Sequence, residues 1–430
     1  MEKNNPKTIN GWAMYDWANS VYNLVITTAI FPIYYNAATE SAFGGSNVQF
    51  FGISLDKTAL YSFSLSFSFA LIALISPLLS GMADYGGKKK VFLQFFTYVG
   101  ALACMGLYFF TGSNIELGIL ASVVACLGFA GGQLFYNAFL PEIATPDRVD
   151  AVSAKGFAYG YIGSVILLIL SLVMIEMHTV FGFDNKGLPT RLSFVMVGLW
   201  WIGFAQIPFR VLHDLPAKVQ TGSLFAKGFE EVLKVWHYVR HNQVMRLYLL
   251  SFLFFNMGVQ TIMLLATSFG QEELGLETGE LIAVLLAIQL VAIGGAYFFA
   301  WVAERVGNKH AIASMLVIWT VVCLVAYFVR SSAQFYALAV VVGLMMGGIQ
   351  SLARSTFSRL IPDDSLDTAS FFSFFNVADK VAYACGTFVF AFVVQLTGSM
   401  RNGALAMSVF FVIGLGILLA TKLEFSKKQS

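Results

Sequence analysis

The sequence predicts an all-α polytopic membrane protein with twelve transmembrane helices in two pseudo-symmetric six-helix bundles. Three observations support this fold: the composition, the number of long apolar segments, and an internal repeat. Hydrophobic residues make up 58% of the chain and charged residues 12%, and the mean hydropathy is +0.74. Soluble domains carry about 25% charged residues, so most of this surface is expected to face lipid rather than water.

The apolar segments follow one another along the whole chain. The first ten residues are short and polar and lack the small-residue cleavage site of a signal peptide, so the first apolar stretch should remain as a helix. A helix needs about 20 apolar residues to cross a bilayer. With that unit the sequence predicts twelve spans, at 11–38, 58–83, 91–112, 115–140, 152–176, 192–212, 244–268, 279–303, 310–329, 333–357, 369–396 and 403–423.

A repeated turn divides these spans into two equal sets. The pattern GMADYGGKKK at 81–90 returns as WVAERVGNKH at 301–310, and LPE at 140–142 returns as IPD at 361–363. Each copy follows the second or fourth span of its set, and duplicated six-helix halves are typical of secondary transporters. We therefore expect an N-terminal bundle at 1–212, a cytoplasmic linker at 213–243 and a C-terminal bundle at 244–430. The linker contains an amphipathic stretch, 224–238, suited to a membrane surface.

Basic residues set the expected orientation. With a cytoplasmic N-terminus, 20 lysines and arginines fall on the inner side and five on the outer side. Since cytoplasmic loops carry the excess of positive charge, both termini are predicted to be cytoplasmic.

Several motifs are similar to those of a known transporter family. The turn at 81–90 resembles the loop signature of the major facilitator superfamily, and the copy at 301–310 is degenerate, with Trp301 in the first glycine position. The first span contains MYDWANSVYN at 14–23, which resembles the opening motif of the branch that holds the autophagy-related vacuolar amino-acid effluxers and their bacterial relatives. The stretches FYNAFLP at 135–141, GFAYGY at 156–161 and GGIQSLAR at 347–354, together with Lys380, are similar to further parts of that branch.

The resemblance implies a major facilitator fold, a bacterial inner (plasma) membrane, and a repeated turn that gates access. In such a turn Asp84 would dock at a neighbouring helix end and hold the cytoplasmic side closed. The expected gating residues are Gly81, Asp84, Gly87, Lys88, Lys89, Glu304, Arg305, Gly307 and Arg354. For Arg354, near the inner end of its span, a gate or a contact with lipid phosphate is favoured over a central cargo contact.

The first span carries one polar face. On a helix, Tyr15, Asp16, Asn19, Tyr22 and Asn23 fall within an arc of about 120°, and such a face must turn toward protein or a water-filled cavity. In one interpretation Asp16 has only a structural role, in which it makes hydrogen bonds or pairs with a lysine of a loop. The other makes Asp16 the coupling carboxylate, with the neighbouring polar side chains shaping a cargo site.

The eleventh span carries a second polar face. Asn376, Asp379, Lys380 and Tyr383 share an arc of about 100°, and Asp379 and Lys380 are expected to need each other or a cavity at that depth. The pair is either a structural link that docks the two halves, or a site where Lys380 receives a cargo carboxylate or changes partner. Further polar groups stand on spans that line the central cavity in this superfamily, and each one either bonds a neighbouring helix or contacts cargo. They are Tyr136, Asn137, Tyr159, Tyr161, Asn256, Gln260, Gln289 and Gln350.

Other classes of function lack their motifs. The net charge of +2 does not favour nucleic acid, and 81–88 breaks the spacing of a phosphate-binding loop. His237 and His241 have the spacing of a zinc pair without the glutamate that would follow, and four cysteines in apolar stretches are expected to be packing residues. No enzyme, cofactor or metal site is predicted.

The sequence thus predicts a monomeric transporter that moves a small polar solute by alternating access, surrounded by membrane lipids and coupled to protons or sodium. An amino acid is favoured because of the family resemblance. Sugars, peptides or muropeptides, organic anions and siderophores are alternatives, as is a membrane sensor that kept the fold without transport.

Overall fold

The structure, a computed structural model, describes residues 2–45, 47–214, 223–363 and 365–423. In that part of the chain, eleven single helices are long and apolar enough to cross a membrane. A twelfth span precedes them in three consecutive helical pieces. The predicted all-helical fold with twelve spans is therefore confirmed.

The first span changes its helix type along its length. Helix α1 (Pro6–Val21) is capped by Asn5, whose side chain accepts hydrogen bonds from two backbone N–H groups of the first turn. A π-helical segment, Tyr22–Ala29, follows, and α2 (Phe31–Phe43) completes the span. Pro32 explains the change, because it has no N–H and its ring would clash with the carbonyl four residues earlier. Segments with such i→i+5 bonding are rare and often occur at functional sites.

The first half continues through a hairpin that the sequence did not predict. Strands β1 (Asn47–Phe50) and β2 (Ile53–Asp56) pair antiparallel around a turn in which Phe51 and Gly52 both have positive φ. The side chain of Asp56 then caps the next helix. The helices that complete this half are α3 (Lys57–Gly86), α4 (Lys89–Gly106), α5 (Ile115–Ala138), the short α6 (Leu140–Ile143), α7 (Val149–Glu176) and α8 (Gly187–Val211).

The second half follows a linker helix. This helix, α9 (Leu224–His241), lies within the predicted linker and extends the amphipathic stretch by three residues. The predicted stretch 215–222 of that linker, including Lys218, lies outside the described residues, as do Lys427 and Lys428. The remaining helices are α10 (Gln243–Leu274), α11 (Thr278–Val306), α12 (Asn308–Phe328), α13 (Ser332–Leu360), α14 (Thr368–Thr397) and α15 (Met400–Ala420).

The two halves meet along two seams of packed helices. Helix α7 packs on α11 and α13, and α14 packs on α3 and α5. We call the end of the bundle that carries the Gly87 turn between α3 and α4 the turn end, and the opposite end the far end. Gly87 has a φ of 58°, the left-handed conformation that ends a helix most readily with glycine.

Three of the four cysteines are packing residues, as predicted, and one is not. Cys104, Cys126 and Cys323 are buried between helices, as packing residues are. Cys385 is exposed on α14, so it does not pack in the protein interior. An apolar stretch does not reveal which of its faces meets lipid, which explains the difference.

Candidate functional site

A cavity of about 230 Å³ lies between the two halves. We call it the central cavity. Its wall includes thirteen of the residues singled out in the sequence: Asp16, Asn23, Asn137, Tyr161, Asn256, Gln260, Gln289, Gln350, Arg354, Asn376, Asp379, Lys380 and Tyr383. The structure thus brings the polar faces of the first and eleventh spans to one enclosed space.

Asp16 lies at the wall of this cavity and is almost fully buried. Tyr136 donates its phenolic hydrogen to Asp16 Oδ2 at 2.7 Å, and Arg354 Nη1 lies 3.2 Å from the same oxygen. Gln133 Nε2 reaches Asp16 Oδ1 at 3.5 Å. The ion-pair partner is therefore an arginine of the opposite half, and the loop lysine considered for Asp16 is not its partner.

Arg354 occupies the interior of the bundle rather than a membrane surface. It is 2% exposed, and its guanidinium lies 4.1 Å from the Phe157 ring centre and 5.0 Å from that of Trp12. Its Nε donates to Ser153 Oγ at 3.0 Å and its Nη2 to the Ser153 carbonyl at 2.8 Å. A contact with lipid phosphate is excluded by this burial. The arginine instead joins α13 of the second half to α1 and α7 of the first.

The second ion pair stays within one half. Lys380 Nζ lies 2.6 Å from Asp379 Oδ2. Asn256 and Gln260 of α10 donate to the other oxygen of Asp379 at 2.7 and 2.8 Å. These partners belong to the second half, so the pair does not dock the halves by hydrogen bonds. On the side of the first half, Lys380 Nζ lies 5.1 Å from the Phe69 ring centre.

Two neutral side chains of the wall carry buried atoms that have no hydrogen-bond partner among the described residues. They are the Asn376 amide nitrogen and the Gln289 amide oxygen. Leaving a buried polar group unsatisfied costs about 1–3 kcal/mol. One hydrogen-bond donor, on Asn376, and one acceptor, on Gln289, are therefore available to a molecule bound in the cavity.

Several predicted residues support the site without lining it. Tyr15 bonds to Thr97 at 2.9 Å, and Asn19 accepts from Gln133 at 3.1 Å. Tyr22 packs against Phe129. Because α1 touches α5, α7 and α8, much of its polar face is covered by other helices.

Two further candidates lie outside the cavity wall. Tyr136 stacks on Trp12 with ring centres 4.4 Å apart and is connected to the cavity wall through Asp16 and Arg354. Tyr159 is half-buried, with Lys155 near its ring.

Two parts of the wall were not predicted from the sequence, namely its phenylalanines and one amide. Gln133 follows Gly131 and Gly132 in the middle of an apolar span, and that position was the available signal for it. Phenylalanines are too frequent in this chain to stand out by type. The wall residues of this group are Phe69, Phe129, Gln133, Phe157, Phe252, Phe255 and Phe375.

The first repeated turn closes the turn end. Both oxygens of Asp84 accept backbone hydrogen bonds at the start of α14, from Ala369 N at 3.2 Å and Ser370 N at 2.7 Å. An anion is stabilised at a helix N-terminus by these free N–H groups. Buried Lys89 pairs with Glu142 and donates to Thr368 at 2.8 Å. The turn therefore joins the two halves through a buried network of charges.

Other members of the turn have simpler positions. Gly81 packs against α9, and Lys88 is exposed. At the next helix start, Asp214 Oδ1 accepts from Lys90 N at 2.7 Å. Asp214 lies outside the spans, and its burial raises the pKa of its carboxyl group above the usual range.

The second repeated turn works through different residues. Glu304 and Arg305 are exposed, and Arg305 lies 3.9 Å from the Trp301 ring centre. After Gly307, Asn308 donates to Asp150 of the first half at 2.8 Å, and Arg359 pairs with the same carboxylate. The degenerate copy thus links the halves through α12 and α13 instead of through its acidic residue. All these links lie at the turn end, so the structure is closed there.

No described group of three or more His, Cys, Asp or Glu side chains could hold a metal ion. The rings of His237 and His241 lie on α9, away from the central cavity, with their centres 4.1 Å apart and their planes tilted by 37°.

Comparison with known proteins gives a consistent result. Residues 4–430 match the family model described as vacuole effluxer Atg22-like. The chain is 33% identical over 420 residues to the uncharacterised MFS-type transporter YxiO of Bacillus subtilis (strain 168), covering 97% of this chain and 95% of that protein. It is 25% identical to autophagy-related protein 22 of Yarrowia lipolytica, covering 89% of this chain and 79% of that protein.

Solved structures agree on the fold. The major facilitator transporter FucP in its outward conformation superposes with a TM-score of 0.71 at 14% identity, covering 97% of this chain and 99% of that one. At this identity the likeness establishes the major facilitator fold.

Proposed function

The chain belongs to the Atg22-like vacuole effluxer family of the major facilitator superfamily, and on that premise we propose that it is a secondary transporter of a small zwitterionic amino acid. The observation that carries the proposal is the charge arrangement of the central cavity. Its wall presents two ion pairs, Asp16–Arg354 and Asp379–Lys380, each neutral by itself. A zwitterion can exchange partners with such a pair without leaving a net charge in a buried space, which would be costly.

The Asp379–Lys380 pair offers one charge of each sign for a zwitterionic cargo, and we call this pair the cargo seat. Lys380 is suited to a cargo carboxylate and Asp379 to a cargo ammonium. The unpartnered nitrogen of Asn376 and oxygen of Gln289 add one donor and one acceptor for the same two groups. Four groups on two helices of one half, α14 and α11, would thus hold the backbone of an amino acid.

The size and lining of the cavity agree with a small cargo. Its volume of about 230 Å³ lies below the range of about 300–1,000 Å³ typical of sites for drug-sized ligands. This disfavours peptides and muropeptides. The phenylalanines of the wall would accept an apolar or aromatic side chain.

Asp16 is the proposed coupling group, and the proton is the proposed ion. Protonation would cancel the charge that holds Arg354 at the wall of the first half. Because Arg354 belongs to the second half, losing this attraction would weaken the link between the halves and favour opening at the turn end. We propose that this end faces the cytoplasm, which its excess of basic residues supports, and that the protein acts as a monomer in a bacterial inner membrane.

Solute counterflow tests this proposal. Purified protein in liposomes preloaded with one amino acid should take up the same labelled amino acid, and an imposed pH gradient should drive its accumulation. Small sugars form the comparison panel, because the many amide side chains of the wall also suit hydroxyl groups and make a sugar the second candidate. If sugars but not amino acids show counterflow, the proposed cargo is wrong and a sugar takes its place. If no solute shows counterflow, a non-transporting sensor is favoured.

A further inference from the structure

Helix α9 presents three distinct faces. Gly228, Val232, Val235 and Val239 are buried in a sector of about 60° on the helix. Exposed apolar side chains fill the neighbouring sector of about 80°. We call them the apolar stripe: Phe225, Phe229, Leu233 and Trp236, which are 60%, 52%, 48% and 49% exposed.

The third face is polar and points away from the stripe. Lys227, Glu230, Lys234 and His237 occupy positions about 80–160° from the centre of the stripe. A helix at a membrane boundary needs this arrangement, with protein on one side, lipid beside it and water opposite. A helix surrounded by water would leave four large apolar side chains exposed in a row without a reason.

The depth of α9 identifies what covers the stripe. Gly81 and Gly228 touch so closely that a Cβ on either would overlap the backbone of the other helix. Gly81 lies five residues before the end of membrane-spanning α3, which is about 7 Å along its axis. The helix therefore runs at the level of the lipid headgroups, and α10 enters the membrane directly after Asn242.

The same helix touches both halves at the joint that Asp84 closes. On the first half it packs along α3. On the second half Lys234 lies 3.0 Å from Asp367, and Trp236 stacks on Phe374 with ring centres 5.7 Å apart. Asp367 and Phe374 flank the start of α14, where Asp84 accepts its two backbone hydrogen bonds.

We propose that α9 is an interfacial helix whose apolar stripe binds the bilayer boundary and that, held there, it clamps the turn ends of α3 and α14 together. The partner is the lipid surface itself. Lipid contact keeps α9 at the depth where it bridges both halves, so weakening that contact favours opening of the turn end. The clamp rests on the proposed alternating access, whereas the lipid contact does not.

Spin-label accessibility tests the lipid contact. In a Cys385→Ser background, which removes the exposed cysteine, a label at Phe229→Cys in liposomes should be several-fold more accessible to oxygen than to a water-soluble nickel complex. The matched label at Lys227→Cys on the polar face should show the reverse. Equal access to the nickel complex at both positions overturns the proposal, and so does a label at 229 shielded from both reagents, which would indicate a protein partner.

A labelling experiment tests the clamp. Ala154 is fully buried near the turn end of α7, so Ala154→Cys reports opening there through its rate of maleimide labelling. Phe225→Ser with Phe229→Ser should raise this rate several-fold, because neither phenylalanine packs in the protein core and only the lipid contact is lost. The control Glu230→Ser should leave it unchanged. An unchanged rate in the stripe variant, with the lipid contact confirmed, overturns the clamp, and this outcome is independent of cargo identity.

Discussion

The two ion pairs of the central cavity differ in what they connect. Asp16 and Arg354 belong to opposite halves, and both side chains are 3% exposed. Asp379 and Lys380 are neighbours on one helix, with side chains 20% and 13% exposed. The first pair is enclosed by aromatic rings and further hydrogen bonds, whereas the second lies closer to the open space of the cavity.

This difference separates two tasks of a transporter. A pair between the halves can report and control their relative position, because it breaks when they part. A pair within one half keeps its geometry through that motion and can hold cargo throughout. We therefore propose that Asp16–Arg354 links conformation to ion coupling and that Asp379–Lys380 is the cargo seat.

The largest effect is expected at the cargo seat, where exchange and gradient-driven accumulation should both be lost. Lys380→Ala should lower transport by roughly 10- to 100-fold, since a hydrogen bond to a charged group contributes about 1.5–3 kcal/mol. It also strands the Asp379 carboxylate, so folded yield should fall. The double variant Asp379→Asn with Lys380→Ala should recover yield but not transport, as measured by counterflow and gel filtration. If the double variant shows counterflow at the wild-type level, the pair has a structural role and does not bind cargo.

The second prediction tests the pair between the halves. Asp16→Asn should abolish accumulation driven by a pH gradient but retain exchange of the same solute, because exchange requires no net proton movement. Uptake with and without the gradient measures both activities in one preparation. The exposed acid Glu304, changed to Gln, serves as the control. Gradient-driven accumulation at the wild-type level would show that Asp16 is structural, and Asp379 would be tested next.

A third prediction extends the comparison to the turn end, where Asp84 is another carboxylate that joins the halves. Asp84→Asn weakens two charge-assisted bonds to α14 and should shift the population toward turn-end opening by about tenfold, equivalent to about 1.4 kcal/mol. Folding should change little. Maleimide labelling of Ala154→Cys measures the shift, and Glu304→Gln, the aligned position in the second turn, should produce none. Equal labelling with and without the Asp84→Asn substitution would show that the turn does not hold the closed state.

The smallest effect is expected from Tyr136→Phe, which removes one hydrogen bond from Asp16 and keeps the stacking on Trp12. A single hydrogen bond contributes about 0.5–1.5 kcal/mol, so gradient-driven uptake should fall by roughly two- to tenfold. Counterflow should change less than uptake if Tyr136 acts through Asp16. An equal loss in both assays would contradict that route and indicate direct contact with cargo.

Much of the fold followed from local properties of the chain. Apolar stretches of about 20 residues located the spans to within a few residues at most ends, because a membrane helix must satisfy its own backbone and present apolar side chains regardless of its neighbours. The β1–β2 hairpin and the π-helical segment were not foreseen. The hairpin is too short to show a pattern, and the π-helical segment depends on how Pro32 is accommodated.

The sequence by itself determined the membrane class, the duplicated plan and the polar faces that carry Asp16 and Lys380. It also placed Asp379 beside Lys380, since adjacency in the chain fixed that pair. Only the tertiary structure decided that Asp16 meets Arg354, 338 positions away, and that Asn308 rather than Glu304 joins the halves at the second turn. Hydropathy and periodicity describe one helix at a time, whereas these contacts depend on how twelve helices dock and on which faces they cover.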